Sequence, residues 1–441
     1  MAQTIQWIET TPECPWNHRD ISTQGTARDT LEITGEEGQV IDGFGGCFNE
    51  LGWIALTHLP EAERARIFDR LFAPDGDLRF TQCRLPVGAN DYSAEWYSYS
   101  EVADDYAMEH FSIERDRHYL IPYIKEAYRR QPQLRLFASP WSPPTWMKFP
   151  RAYNHGTLIW EKENLQAYAL YFLKFIQAYA AEGITIHQLH VQNEPMSDQK
   201  FPSCVWSGEQ FRDFIVNYLG PLFDTHHCDT EIWLGTLNGP ETDNRMLYTG
   251  YDQYANLVLS DPQALAYIKG VSYQWAGKFA IQQTSASYPE LRYMQSENEC
   301  GDGTNTWEYA RYIFNLFRHY LSNGVNSYIY WNMVLEPGGR STWGWQQNAL
   351  MTIDAKAEMV TINPEYYVMK HYSHFIQPGA VRLVTRGHLT GNAVVFRNPD
   401  GAIVAVVGNG LPHARCFTFK AANREFTAEL RPYSFNTFVI V

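Results

Sequence analysis

No stretch of this chain approaches the about 20 consecutive apolar residues that a membrane-spanning helix needs. The first residues, MAQTIQWIETTPECPW, have neither a basic start nor a long apolar core, so no export signal is read there. Positive charge is also short. With 35 basic against 49 acidic side chains the net charge is −14, which repels phosphate backbones and anionic lipid and argues against nucleic-acid binding; the lack of a spanning apolar stretch argues against integral membrane association. Cysteine is sparse and scattered: Cys14, Cys47, Cys83, Cys204, Cys228, Cys300 and Cys416 show no CxxC spacing. They read as free thiols of a reducing compartment, and a cytoplasmic location is expected. The chain has no GxSxG elbow, and the run Gly43-Phe44-Gly45-Gly46 lacks the spacing of a dinucleotide loop. His226, His227 and Cys228 sit where a helix ends before a strand, and capping explains them better than a metal does. No metal and no cofactor is expected; the sequence leaves the oligomeric state open.

Apolar residues are plentiful, at 45% of a 441-residue chain, enough for one large domain and a smaller one. Eight β-rich runs alternate with amphipathic stretches. They begin at Val40, Phe80, Leu134, Ile186, Glu231, Tyr267, Leu291 and Ser327. Between them, Leu165, Tyr168, Phe172, Phe175 and Tyr179 follow the three-four spacing of one buried helix face, closed by Gly183. Ser207 with Gln210 reads as a capping box, and Pro60 with Glu61 and Glu63 as a first helical turn. Eight such alternations predict an α/β fold, a (β/α)8 TIM barrel over residues 40–375. The segment from Ala89 to about His118 is long, aromatic and acidic, as expected of a loop at the mouth of a site. After Pro378 the pattern turns to short strands with close turns, and Thr4 to Ile8 and Thr30 to Thr34 also read as extended. A β-sandwich built from residues 1–39 and 376–441 is the expectation, with the barrel inserted between them.

Two glutamates carry most of the chemistry. Glu194 closes IHQLHVQNEP and Glu297 closes LRYMQSENEC, each at the end of a predicted barrel strand. The carboxyl ends of barrel strands form the active face, and a pair of carboxylates there is what hydrolysis of an acetal requires. Asn193 beside Glu194 brings an amide able to donate to a sugar hydroxyl. Glu299 competes with Glu297, since two residues apart they share one face of a strand. Arg84, ending an apolar run in CRLPV, is a cation suited to holding a neighbouring carboxylate ionised. Trp141, Trp146, Trp275, Trp331, Trp343 and Trp345 follow strand ends, where aromatic faces stack on sugars.

Several ordered motifs resemble glycoside hydrolase family 30, the glucosylceramidase-like retaining β-glycosidases: DGFGGCFNE from Asp42, RLPVGANDYS from Arg84, ASPWSPPTWMK from Ala138, QNEP from Gln192, SENEC from Ser296, and Tyr330-Trp331-Asn332. The resemblance spans nearly the whole chain and implies a barrel with a side β-sandwich. It also implies Glu194 as acid/base and Glu297 as nucleophile, since Ser296-Glu297 matches the family's step. Glu50 stands where the family grips sugar hydroxyls, Trp141 where it contacts the sugar, Asn193 at the 2-hydroxyl, and Arg84 behind the nucleophile. Gln274, Trp275, Trp331 and Trp343 complete the expected substrate-binding set. One departure is Gln274-Trp275-Ala276, where many members read His-Trp-Tyr. The expected activity is retaining, exo-acting hydrolysis of a small-molecule or oligosaccharide β-glycoside, with a glucoside favoured. β-Xylosidase, β-fucosidase or glucosylceramidase are alternatives within the family, and a sugar-binding protein without turnover is the alternative outside it.

Overall fold

The computed structural model describes residues 5–21, 27–239, 254–421 and 424–441. Eight parallel strands close a barrel: β1 (Gly43–Cys47), β2 (Gln82–Val87), β3 (Arg135–Pro140), β4 (Gln188–His190), β5 (Glu231–Leu237), β6 (Ile268–Gln274), β7 (Arg292–Glu297) and β8 (Ser327–Asn332). They are neighbours in chain order, and β8 returns to β1. Each falls inside one of the eight runs read from the sequence. The runs are continuously apolar because parallel strands are covered on both faces, by helices outside and by packed side chains within. Phe137, Trp233, Met294 and Ile329 form that inner layer, and His190 stacks flat on Trp233 beneath the upper rim. Gly45 in β1 has a steric reason: a Cβ there would lie 1.5 Å from the Gln82 carbonyl oxygen, so only glycine lets β1 meet β2.

Helix Lys162–Ala181 buries Leu165, Tyr168, Phe172, Phe175 and Tyr179 as the spacing predicts. Gly183, at φ 79°, turns the chain out of it. The capping box of Ser207 and Gln210 opens helix Gly208–Phe214. The same long helix anchors the loop after β2. Asp116, buried in that loop, accepts hydrogen bonds from Tyr97 (2.9 Å), Tyr99 (2.5 Å) and Tyr179 (2.5 Å). Burial raises its carboxyl to about 6.

The terminal strands form one nine-stranded sheet. Its order is Asn17–Arg19, Ile5–Thr10, Ser434–Ile440, Ile403–Asn409, Ala393–Arg397, Val381–Arg386, Asp29–Val40, Arg415–Ala421, Arg424–Leu430. The sheet folds back on itself, so Phe417 and Phe426 from one end meet Phe438 near the other. The two layers of the sandwich are therefore halves of one continuous sheet. Alternation sorts the middle strands between two cores. Val394, Phe396, Val404 and Val406 face the barrel helices, while Val395, Ala405 and Val407 face the sandwich interior. Both N-terminal extended segments are present, Ile5–Thr10 beside Ser434–Ile440 and Asp29–Val40 between Val381–Arg386 and Arg415–Ala421. Strand Arg424–Leu430 escaped the sequence reading. No helix among the described residues is long and apolar enough to cross a membrane.

Trp7 pins the N-terminal strand to this sheet. It is buried, donates from Nε1 to Asn436 Oδ1 at 2.9 Å, and stacks on Phe438. Trp7→Ala is expected to cost about 3–5 kcal/mol, read by urea denaturation. Activity at 25 °C should stay near wild type, because the substitution is remote from the barrel mouth.

Candidate active site

The upper rim of the barrel is organised by Arg84, a fully buried cation in the middle of β2. Its Nη1 donates to Glu297 Oε2 at 2.7 Å and its Nη2 to Asn193 Oδ1 at 2.6 Å. Nε and Nη2 both reach Ser139 Oγ on β3, at 3.1 and 2.9 Å. The guanidinium lies 4.5 Å from the Trp141 ring and 5.3 Å from Trp331. Stacking and charge-assisted hydrogen bonds thus replace its lost hydration.

Glu297 ends β7, and Glu194 lies just past β4. Gln274, the last residue of β6, joins them: its Nε2 donates to Glu194 Oε1 at 3.0 Å and to Glu297 Oε2 at 3.3 Å. The two carboxylate oxygens are therefore no farther apart than about 6.3 Å, short of the ~6.5–9.5 Å separation of inverting pairs. Gln274 is held in this orientation because its Oε1 accepts from Ser296 Oγ at 3.0 Å. Asn193 Oδ1 accepts from Arg84, from Thr236 Oγ1 at 2.9 Å and from Gln274 at 3.3 Å. With its oxygen so engaged, its Nδ2 remains for a ligand. Trp275 Nε1 donates to Glu297 Oε1 at 3.3 Å. Glu194 and Trp275 sit at φ 45° and 48°, left-handed conformations that cost about 1–3 kcal/mol each in non-glycine residues and recur at functional sites.

A cavity of about 260 Å3 opens above these groups, lined by Asp91, Trp141, Asn193, Glu194, Trp275, Glu297, Trp345 and Gln347 among others. Burial raises all three of its carboxyls. Glu297 is pushed up to about 8 by burial against the pull of Arg84, with Glu194 and Asp91 adding repulsion. Asp91 rises to about 7 through burial and the Glu194 charge. Glu194 rises through burial, opposed by hydrogen bonds from Gln274 and Ser197. Three acids share one cation, so a single negative charge is matched. The contact with Arg84 assigns that charge to Glu297, and once Glu194 and Asp91 hold protons their repulsion on it is gone.

The structure separates Glu297 from Glu299. Glu299 points away, its two oxygens taken by Lys278 and the Tyr312 hydroxyl. Glu50 must be corrected. It is fully buried outside the cavity lining, with Oε1 and Oε2 bonded to Arg115 at 2.7 and 2.9 Å and Oε2 also accepting from the Ala94 amide. A carboxylate saturated by a guanidinium grips the loop after β2, not a sugar. The acid that faces the cavity from that loop is Asp91, inside the quoted RLPVGANDYS motif but not singled out. Its signal was an acid a few residues beyond a barrel-strand end. Gln347 was missed too; it follows β8 at a distance that spacing cannot resolve.

Trp331 lies beneath the site against Arg84 and Trp141, and Trp343 stacks on Trp96 at 4.7 Å beside the cavity; neither is part of its lining. Trp345 and Phe201 are. His226 follows helix Gly220–Thr225 at the opposite end of the barrel. A hollow of about 740 Å3 also lies there, around Thr230, Glu231 and Ile232 at the start of β5. Strand starts are not where barrel chemistry is placed.

The Glycosyl hydrolase family 30 TIM-barrel domain matches residues 41–376. The putative glucosylceramidase 1 of Caenorhabditis elegans is 30% identical over 422 residues, covering 89% of this chain and 79% of the worm protein. An endo-1,6-beta-D-glucanase of Neurospora crassa is 27% identical over 410 residues, covering 88% and 82%. The crystal structure of SrfJ from Salmonella typhimurium aligns with a TM-score of 0.89 at 25% identity, over 99% of both chains. With a carboxylate pair at the mouth of a barrel that this family's model spans from end to end, the chain belongs to glycosyl hydrolase family 30 and is a glycoside hydrolase.

Proposed function

We propose that this enzyme is a retaining β-glycosidase acting on the terminal sugar of a β-glucoside, with Glu297 as nucleophile and Glu194 as acid/base. The observation that carries the reading is the shared Gln274 amide, which holds two carboxyls of unlike surroundings within about 6.3 Å. Glu297 has the cation, so it is the ionised member that attacks the anomeric carbon. Glu194 has only neutral donors against its carboxyl, so it keeps the proton for the leaving oxygen and then takes one from water. In this reading Asn193 Nδ2 donates to the 2-hydroxyl, Asp91 and Gln347 meet hydroxyls farther round the ring, and Trp141 covers a sugar face; all four line the cavity. A second reading is cleavage within a β-1,6-linked glucan. It is supported by the Neurospora crassa relative and by Phe201 and Trp345 beside the catalytic pair, where a second sugar could rest. Seven free thiols support a reducing, cytoplasmic setting.

Glu297→Gly and Glu194→Ala should each lower kcat on an aryl β-glucoside by about 10⁴-fold and about 10²-fold or more respectively. Azide should restore turnover in both and separate the roles. Glu297→Gly yields the α-glycosyl azide and Glu194→Ala the β-azide; the reverse pattern would sink the assignment. Product analysis on β-1,6-linked oligosaccharides decides between the readings, since glucose alone marks terminal attack and mixed oligosaccharides mark internal cleavage.

The pH profile of kcat/KM should be bell-shaped, with limbs that belong to the coupled acids. Activity rises as Glu297 ionises and falls as Glu194 loses its proton. Arg84→Gln removes the cation that lowers Glu297, so the acidic limb moves to higher pH. Leaving a buried charge unpaired should also cost about 3–5 kcal/mol, read by denaturant unfolding.

A further inference from the structure

Glu299 is the strand-end acid that catalysis leaves unused, and its contacts lead back to the site. Trp275 reaches Glu297 from a short turn, Trp275–Phe279, that packing alone does not hold. Trp275 is 37% exposed with a left-handed backbone, and Phe279 is 70% exposed. The turn is fixed at three points. Gly277 rests so near β5 that a Cβ would lie 2.3 Å from the Leu237 carbonyl oxygen. The Lys278 carbonyl oxygen lies 2.8 Å from His319 Nε2, and the Lys278 ammonium pairs with Glu299. Glu299 also accepts from Tyr312, which shares helix Trp307–Ser322 with His319.

We propose that Glu299 is a positioning residue, whose pairing with Lys278 holds the turn so that the Trp275 indole N–H meets Glu297 Oε1. This rests on Glu297 being the nucleophile proposed above. The pair ties the outer helix to the end of β6, and through it to one oxygen of Glu297; Arg84 and Gln274 serve the other oxygen. Loss of the pair frees a strained, exposed tryptophan and removes one donor from the carboxylate. A hydrogen bond to the charged form favours ionisation, and the Trp275 contact lowers Glu297 in this site. The other titratable groups facing Glu297 are Arg84, Glu194, Asp91, Cys47 and Cys300. Around Glu299 they are Lys278, Tyr309, Tyr312, Tyr320 and Tyr328. Breaking this Lys278–Glu299 latch by Glu299→Gln or by Lys278→Met alters the direct charge on Glu297 in opposite senses, so a shift of one sign in both variants reports the indole.

The test compares Trp275→Phe, Glu299→Gln, Lys278→Met and the double variant Glu299→Gln/Trp275→Phe on an aryl β-glycoside across pH. Trp275→Phe should move the acidic limb of kcat/KM upward by about half a pH unit and lower kcat about tenfold, with KM within about twofold. Glu299→Gln and Lys278→Met should reproduce that pattern, and the double variant should be no worse than Trp275→Phe. An unmoved profile in Glu299→Gln and Lys278→Met overturns the proposal, as do effects that multiply in the double variant. If Trp275→Phe itself leaves the profile unmoved, the latch has nothing to act on and the proposal falls. The assignment of Glu297 is judged separately by the azide products.

Discussion

A fully buried guanidinium needs an environment that repays its lost hydration, and the upper barrel is built around that need. Arg84 comes from β2, yet its partners come from β3, from the residue before Glu194, and from β7. Two indoles cover its faces. Shifting any of these strands by one residue would leave a charge stranded in low dielectric, a loss of several kcal/mol. The ion pair thus acts on register as well as on chemistry. Once Arg84 is satisfied, Glu297 and Asn193 are fixed in direction, and Glu194 follows Asn193 along the chain.

The same cation sets how protons are distributed. Three carboxyls in a dry cavity cannot all ionise, and only Glu297 touches the positive charge. The bridge between the proposed catalytic acids is the amide of Gln274. An amide does not titrate, so Gln274 takes no proton from the pair and acts on it only by donating hydrogen bonds to both carboxyls. Its orientation comes from Ser296, the residue before Glu297 on the neighbouring strand. The wall that brings Asp91 to the cavity is held from behind by two buried acids, Glu50 on Arg115 and Asp116 under three tyrosines.

Much of this was legible before folding, and the rest was hidden for definite reasons. Period-two and continuous apolar runs located all eight barrel strands because burial on both faces leaves a strong local imprint. Arg424–Leu430 was overlooked because its short alternation, REFTAEL, is masked by three charged residues. Glu297 and Glu299 could not be told apart by period, since alternation places both on one face while the strand lasts. The strand ends at Glu297, and Lys278 and Tyr312 then claim Glu299.

By itself the sequence determined the class of fold, the order of the eight barrel strands and, to within a few residues, where they end. These depend on local patterns of polarity and on short motifs that survive without knowledge of neighbours. The tertiary structure decided which acid faces the cavity, which is neutralised and which merely holds a loop. Glu50 and Asp91 look alike as residues near strand ends, but Arg115, 65 residues beyond Glu50, saturates one and leaves the other turned inward. Charge state and direction come from partners brought together across the barrel, and no spacing along the chain encodes those.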